Sequence, residues 1–152
     1  MNSMITNYFD AEPAIIARRV ALVPEVPEKN IFTPFDLQDM VQSSQPSPAL
    51  HVVYAGDGPQ SAGDNAAGQG TSSFVAQRWL VVLAMRNAKA QLQQTKEIRT
   101  TAGVIIPKVL GALQGWQPVT WMRPLRRVGG PSAGYSSSFA YFPFLFEGRI
   151  IT

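Results

Sequence analysis

The last stretch of the chain, residues 137–152, reads SSFAYFPFLFEGRIIT. Counting by twos divides its side chains between two faces, as in a β-strand. One face carries Ala140, Phe142, Phe144, Phe146 and Ile150, and the other carries Phe139, Tyr141, Pro143, Leu145, Glu147 and Arg149. The stretch is therefore predicted to be a strand of a packed sheet, with the first face in the core.

The second face of this strand is also apolar, from Phe139 to Leu145. Large apolar patches are usually covered or used as contacts, so we expect Phe139, Tyr141 and Leu145 to lie beneath a helix or against a neighbouring subunit. Glu147 and Arg149 are expected where the strand returns to water. Pro143 cannot donate a ladder hydrogen bond, which predicts a sheet edge or a bulge there.

Further strands are predicted upstream. The stretch FVAQRWLVVLAMRN, residues 74–87, is apolar on both faces in its middle, which is typical of a central strand covered on both sides. Residues 48–55 alternate as a second strand, and residues 119–128 include a short third one. Between residues 48–55 and residues 74–87 lies a glycine-rich and serine-rich segment, residues 56–73. It is predicted to be a flexible loop and contains Asp57 and Asp64.

Helical spacing appears in three other segments. Residues 12–23 place their apolar side chains mainly on one side, with Arg18 and Arg19 at its edge, and prolines follow. Residues 33–41 are predicted to form a short second helix. Residues 87–118 are helical in pattern but contain Pro107, which favours either a kink or the start of a new helix. Gly115 is placed to cap this segment in a left-handed conformation.

These elements predict an α+β fold, a single domain over residues 1–152 with a mainly antiparallel sheet packed with two or three helices. A chain of 152 residues can bury about 70% of the surface that it exposes when unfolded. The sequence has no cysteine, signal-peptide pattern or apolar run long enough to span a membrane. We therefore expect a soluble, unexported protein of a reducing cytoplasm, without disulfides or membrane contact.

No pattern of residues indicates catalysis. The single histidine, His51, lies within a predicted strand between apolar neighbours. Asp57 and Asp64 lack the close run of oxygen ligands of a calcium loop, and the glycines around them complete no phosphate-binding motif. We predict that the protein is not an enzyme and has no catalytic residue, metal or cofactor.

The charges are divided along the chain. Residues 1–64 hold eight acids and three bases, a net charge of −5, while residues 65–152 hold ten bases and two acids, a net charge of +8. This division indicates a nucleic-acid face, complementary faces within or between subunits, or a surface on which folding mixes the two halves. Arg126 and Arg127 belong to the basic half.

Taken in order, five stretches resemble the tail terminator, or tail completion, proteins of long-tailed bacteriophages. They are EPAIIARRVALVPEV, IFTPFDLQDMVQSSQPSPALHVVY, QRWLVVLAMRNA, AGVIIPKVLGALQGWQP and YFPFLFEGRI. Each stretch by itself has the residue pattern of an ordinary helix or strand. The resemblance lies in the order of the stretches and in the length of the chain. It extends over almost the whole chain.

The resemblance implies a structural virion protein, assembled in the host cytoplasm and located at the head-proximal end of the tail. It implies a ring of identical subunits, expected to be a hexamer, that caps the tail tube, stops its polymerisation and offers the head-joining surface. The implied partners are further copies of the chain, the tail tube protein and the head-to-tail connector protein, with DNA passing only through the ring. Residues 56–73 are expected to order against the tube or a neighbouring subunit.

The residues predicted to lie at a subunit or tube interface combine the terminal strand, the long strand, the loop and the basic cluster. They are Asp57, Asp64, Trp79, Arg126, Arg127, Phe139, Tyr141 and Leu145. Two other interpretations of the chain stay open. One is a head-to-tail connector or tail tube subunit, and the other is a double-stranded DNA-binding module.

Overall fold

A computed structural model of the protein describes residues 5–34, 46–59, 75–86, 92–135 and 139–151. Within these ranges the chain forms two α-helices and a six-stranded sheet, which confirms the predicted α+β fold. The helices are α1 (Ala11–Leu22) and α2 (Leu92–Leu113), and a short 3₁₀ helix spans Glu28–Asn30. The strands are β1 (Ile31–Phe32), β2 (Ala49–Pro59), β3 (Val75–Arg86), β4 (Arg126–Val128), β5 (Gly134–Tyr135) and β6 (Phe139–Arg149).

The sheet has the order β1-β2-β3-β6-β4, and β5 pairs with β6 beside β4. Only the short β1–β2 pair is parallel among the described strands, so the prediction of a mainly antiparallel sheet is confirmed. The two long apolar stretches pair directly, with Trp79 opposite Phe146 and Leu80 opposite Leu145. Strands β3 and β6 are therefore the centre of the fold.

One face of the sheet, called here the helix-side face, packs against α1 and α2. Trp79, Val81, Leu83 and Phe146 lie on it and join the buried side chains of both helices in one hydrophobic core. The other face, called the opposite face, carries a second cluster of buried residues: Ala49, Val53, Leu80, Val82, Ala84, Phe139 and Tyr141. The two faces predicted for the terminal strand are confirmed for its apolar residues: Ala140, Phe142, Phe144, Phe146 and Ile150 pack in the first cluster, and Phe139, Tyr141 and Leu145 in the second.

Helix α1 differs from its prediction at Arg19. Ala11, Ile15 and Arg19 recur every four residues, so all three fall on the side of the helix that faces the core, and all three are fully buried. Arg18 lies at the edge as expected, where its Nε donates to the Ala112 carbonyl at 2.9 Å and its guanidinium lies over the Trp116 ring.

Helix α2 continues through Pro107, so no new helix begins there. The carbonyl that Pro107 leaves without its usual donor belongs to Gly103, four residues earlier. The predicted cap at Gly115 is confirmed: its φ is +81°, and its N–H donates to the Leu125 carbonyl at 2.7 Å. None of the described helices is long and apolar enough to cross a membrane.

Strand β2 is longer than predicted and takes the first four residues of the predicted loop, 56–59. Gly56 has a φ of +94°, at a bulge between Tyr54 and Asp57, after which the pairing with β3 resumes through Pro59. Proline is tolerated because β1 pairs only with the other end of β2, which leaves this end at the sheet edge. Residues 60–73 of the predicted loop, and 35–41 of the predicted second helix, lie outside the described residues.

Pro143 lies at a local edge of β6, whose side away from β3 is paired only in part. Beyond β6, β4 pairs with residues 145–147 and β5 with residues 140 and 141. Residues 142–144 therefore have a ladder partner, among the described strands, only on the β3 side. The edge predicted from Pro143 is confirmed locally.

Candidate contact surface

Glu147 is the centre of a charged network on the opposite face. It was expected to lie in water, but its side chain is only 1% exposed. Its Oε2 accepts from Nε of Arg78 at 3.0 Å, and its Oε1 accepts from Nη2 of Arg126 at 3.3 Å. The ladder explains the burial, since β6 lies between β3 and β4 at this point and both neighbours present an arginine.

A cleft of about 350 Å³ opens beside this network. It is lined by Arg123, Pro124, Arg126, Glu147 and Arg149, and is called here the arginine cleft. Three of the lining residues are arginines and Arg78 pairs with the same carboxylate, so positive side chains outnumber the one acid at this cleft. Arg123 is exposed and forms no ion pair with any of the described residues.

The cleft is held by main-chain hydrogen bonds. The N–H of Arg123 donates to the Arg149 carbonyl and the N–H of Ile151 donates to the Trp121 carbonyl, both at 2.8 Å. Gly115 and Leu125 close the loop between α2 and β4. These hydrogen bonds fix the backbone from which the arginine side chains of the cleft project.

A second charged region, called here the acidic rim, lies on the helix side of the sheet. It consists of Phe9, Asp10 and Glu12, at the start of α1. Phe9 is 48% exposed, and neither carboxylate makes an ion pair with a described residue. Partial burial raises the pKa of Glu12 above its usual value.

Tyr8 anchors the acidic rim to the sheet. Its hydroxyl donates to Oδ2 of Asp57 at 2.6 Å, and its carbonyl accepts from Nε2 of Gln77 at 2.6 Å. Burial, followed by the hydrogen bond to the Asp57 carboxylate, raises the pKa of Tyr8 to about 12. The tyrosine ring also stacks on Trp121, which joins the rim to the loop that carries Arg123.

The predicted interface residues fall into four groups. Trp79, Phe139 and Tyr141 are buried within the chain, and Leu145 is half-buried. Asp57, Arg126 and Arg127 are exposed. Asp64 lies outside the described residues.

The structure brings the exposed members of the set to the same end of the sheet. Asp57 pairs with Gln77 across β2 and β3, one residue from Arg78, and Arg126 pairs with Glu147. Arg127, the next residue of β4, turns to the other side and lies over the Phe144 ring.

Sequence reasoning missed Arg78 and Glu147 as a pair. They are separated by 69 residues and become cross-strand partners only when β3 and β6 pair in register. Aligning the two apolar stretches antiparallel would have set them opposite each other.

Two other buried ionisable side chains lie away from this end of the sheet. His51, on the opposite face, stacks on Phe32, and burial lowers its pKa to about 4. Burial also lowers the pKa of Arg19 to about 10. The described residues contain no group of three or more histidine, aspartate or glutamate side chains arranged to hold a metal ion.

Comparison with known proteins gives one match of near-complete length. A family model described as "Phage tail terminator protein" matches residues 4–152. The search of curated proteins finds no match. Because the family model covers nearly every residue of the fold described above, the chain belongs to the phage tail terminator family, a structural family of the virion tail.

Proposed function

We propose that this chain assembles into a ring, a hexamer, that caps the phage tail tube, stops its polymerisation and provides the surface to which the head joins. The observation that carries the proposal is the family match over residues 4–152. It favours a terminator over the connector and tube subunits that the sequence left open. The action is steric, because a cap that covers the last ring of the tube leaves no site for another tube subunit.

The structure supports this role through the build of the subunit. Both faces of β3 and β6 carry buried clusters, so the central sheet is a rigid layer. Two oppositely charged surfaces, the arginine cleft and the acidic rim, lie at the same end of this sheet. A rigid subunit with oppositely charged surfaces is suited to repeated contacts with copies of itself. The tail tube and the head-to-tail connector are the further partners, and the ring lies at the head-proximal end of the tail.

The test is inactivation of the gene in the phage that encodes the chain. We expect tails longer than wild type, with a broad length distribution and free DNA-filled heads, in negatively stained lysates. Supplying the protein from a plasmid should restore uniform tails joined to heads. Tails of normal length joined to heads without the protein would refute the proposal.

The ring is tested by mass measurement on purified tails. Free protein in solution does not decide the matter, because ring formation can depend on the tube. A single copy per assembled tail would contradict a ring, whereas a fixed multiple of the subunit supports it.

A further inference from the structure

The arginine cleft has the chemistry of a carboxylate-binding site. Arg123, Arg126 and Arg149 line it, and Glu147, the one acid among its described lining residues, is buried and already accepts hydrogen bonds from Arg78 and Arg126. A guanidinium binds a carboxylate through parallel N–H donors, which makes arginine well suited to such contacts. The exposed Arg123 is the member best placed to meet an incoming acid.

The acidic rim has the complementary chemistry. Asp10 is the N-cap residue of α1 and Glu12 lies in its first turn, and Phe9 beside them is an exposed aromatic side chain. Aromatic anchors next to charged groups are typical of protein contact surfaces. The rim therefore offers two carboxylates and one apolar anchor together.

The two surfaces lie on opposite sides of the sheet. Arg78 and Glu147 alternate with Trp79 and Phe146, so they point away from the helices. The rim belongs to the helix side, because α1 packs there. Tyr8 links the rim to the loop of Arg123, but no ion pair joins Arg123 to Asp10 or Glu12 within the subunit, so these charges can meet those of a second copy.

The two surfaces also lie at the same end of the strands. Tyr8 bonds Asp57 and Gln77, and the adjacent residue of β3, Arg78, bonds Glu147. A contact between surfaces at one level needs little displacement along the strand direction from one copy to the next. A head-to-tail contact that repeats from copy to copy closes into a ring when its rotation brings the last copy back to the first, and otherwise gives an open filament.

From this placement we infer that the arginine cleft of one copy receives Asp10 and Glu12 of a second copy, with Phe9 as the apolar part of the contact. The inference rests on the proposed ring and specifies its subunit contact. It makes the contact head-to-tail, with each copy giving its cleft to one neighbour and its rim to the other.

The experiment is charge reversal and its repair, in the phage whose own gene is inactivated. The plasmid supplies wild type, Arg123→Glu, Glu12→Arg, or the double variant Arg123→Glu/Glu12→Arg. Like charges across an interface cost several kcal/mol, so each single variant should lower the yield of infectious particles by about tenfold or more. The double variant should recover to within about threefold of wild type, because the pair is restored with its signs exchanged.

Matched controls distinguish a yield that falls because the contact is lost from one that falls because the protein does not fold. Arg99→Glu on α2 and Glu28→Arg on the 3₁₀ helix reverse exposed charges outside both surfaces and should leave the yield at the wild-type level. Thermal unfolding of each purified variant checks that the folded state is retained.

The outcomes distinguish the inference from the proposed function. If the wild-type plasmid restores tails and both single variants do so equally well, the proposed contact between cleft and rim is wrong, whereas the proposed capping function is retained. If both folded single variants fail and the double variant also fails, the cleft meets something other than the rim, such as DNA phosphate, and the inference is overturned. If the wild-type plasmid restores nothing although the inactivation changes tails, the proposed function itself is at fault.

Discussion

Glu147 and Arg19 are both buried charged residues, yet their surroundings are opposite. Glu147 accepts hydrogen bonds from two arginines on neighbouring strands. Arg19 is fully buried on α1, and none of its three guanidinium nitrogens has a hydrogen-bond acceptor among the residues that the structure describes. Burying a charge is costly unless it is paired, so the first residue stabilises its neighbourhood and the second destabilises its own.

Removal of the Glu147 carboxylate is expected to have the largest effect on stability. Glu147→Ala leaves Arg78 and Arg126 facing each other without an acid between them. Breaking a fully buried pair costs about 3–5 kcal/mol, and partial exposure of both arginines reduces this to about 2–3 kcal/mol. Urea unfolding measures the loss, and Glu147→Gln, which keeps an acceptor oxygen, should lose less. Equal stability of Glu147→Ala and wild type would show that the network contributes nothing.

Replacing Arg19 should have the opposite sign. Arg19→Met keeps an unbranched side chain of similar length and removes the unpaired charge, so the free energy of unfolding should rise by about 2 kcal/mol. Arg18→Met is the matched control next to it. Since Arg18 donates to the Ala112 carbonyl and lies over Trp116, its replacement should lower stability by about 1 kcal/mol. A destabilised Arg19→Met would mean that the buried guanidinium is stabilised by its surroundings.

His51 is a third buried ionisable residue, and unlike Glu147 and Arg19 it is neutral in the folded protein. Its pKa is lowered by burial to about 4, against 6.5 for the ordinary side chain. As pH falls below 6.5 the unfolded chain takes up a proton that the folded chain does not, so stability is lost between pH 6.5 and 4. The loss from pH 8 to pH 5 should be about 2 kcal/mol by urea unfolding.

The control for this pH dependence is His51→Phe, which keeps a ring against Phe32 but cannot titrate. The free energy of unfolding of this variant should keep only the pH dependence that the other titratable side chains cause. An unchanged slope in His51→Phe would assign the pH dependence elsewhere.

The features best predicted from the sequence are those that depend on the alternation of side chains along a strand. The two faces of β3 and β6 follow from counting alone, because a strand places neighbouring residues on opposite sides. The central position of β3 followed from its apolar middle. The order of the elements along the chain carried the family resemblance, which the family match confirms.

The charged residues were predicted less well, for two physical reasons. The burial of Glu147 depends on which arginines the register sets beside it, and that is a property of three strands together. Arg19 shares the four-residue spacing of Ala11 and Ile15, but a charged side chain is expected at the solvent edge of an amphipathic helix and not on its buried side. Asp57 was assigned to a loop because glycine and proline surround it, although a bulge and a free strand edge accommodate both.

The hydrogen bonds of the loop between α2 and β4 have a consequence for the rate of assembly. Gly115 N–H donates to the Leu125 carbonyl and Leu125 N–H donates to the Trp116 carbonyl, while Arg123 and Ile151 bond the loop to the end of β6. The backbone of the cleft is ordered before any neighbour arrives, so little conformational entropy is lost on contact. Docking at the proposed interface is then governed by encounter and orientation, and long-range attraction between cleft and rim makes its association rate fall as ionic strength rises.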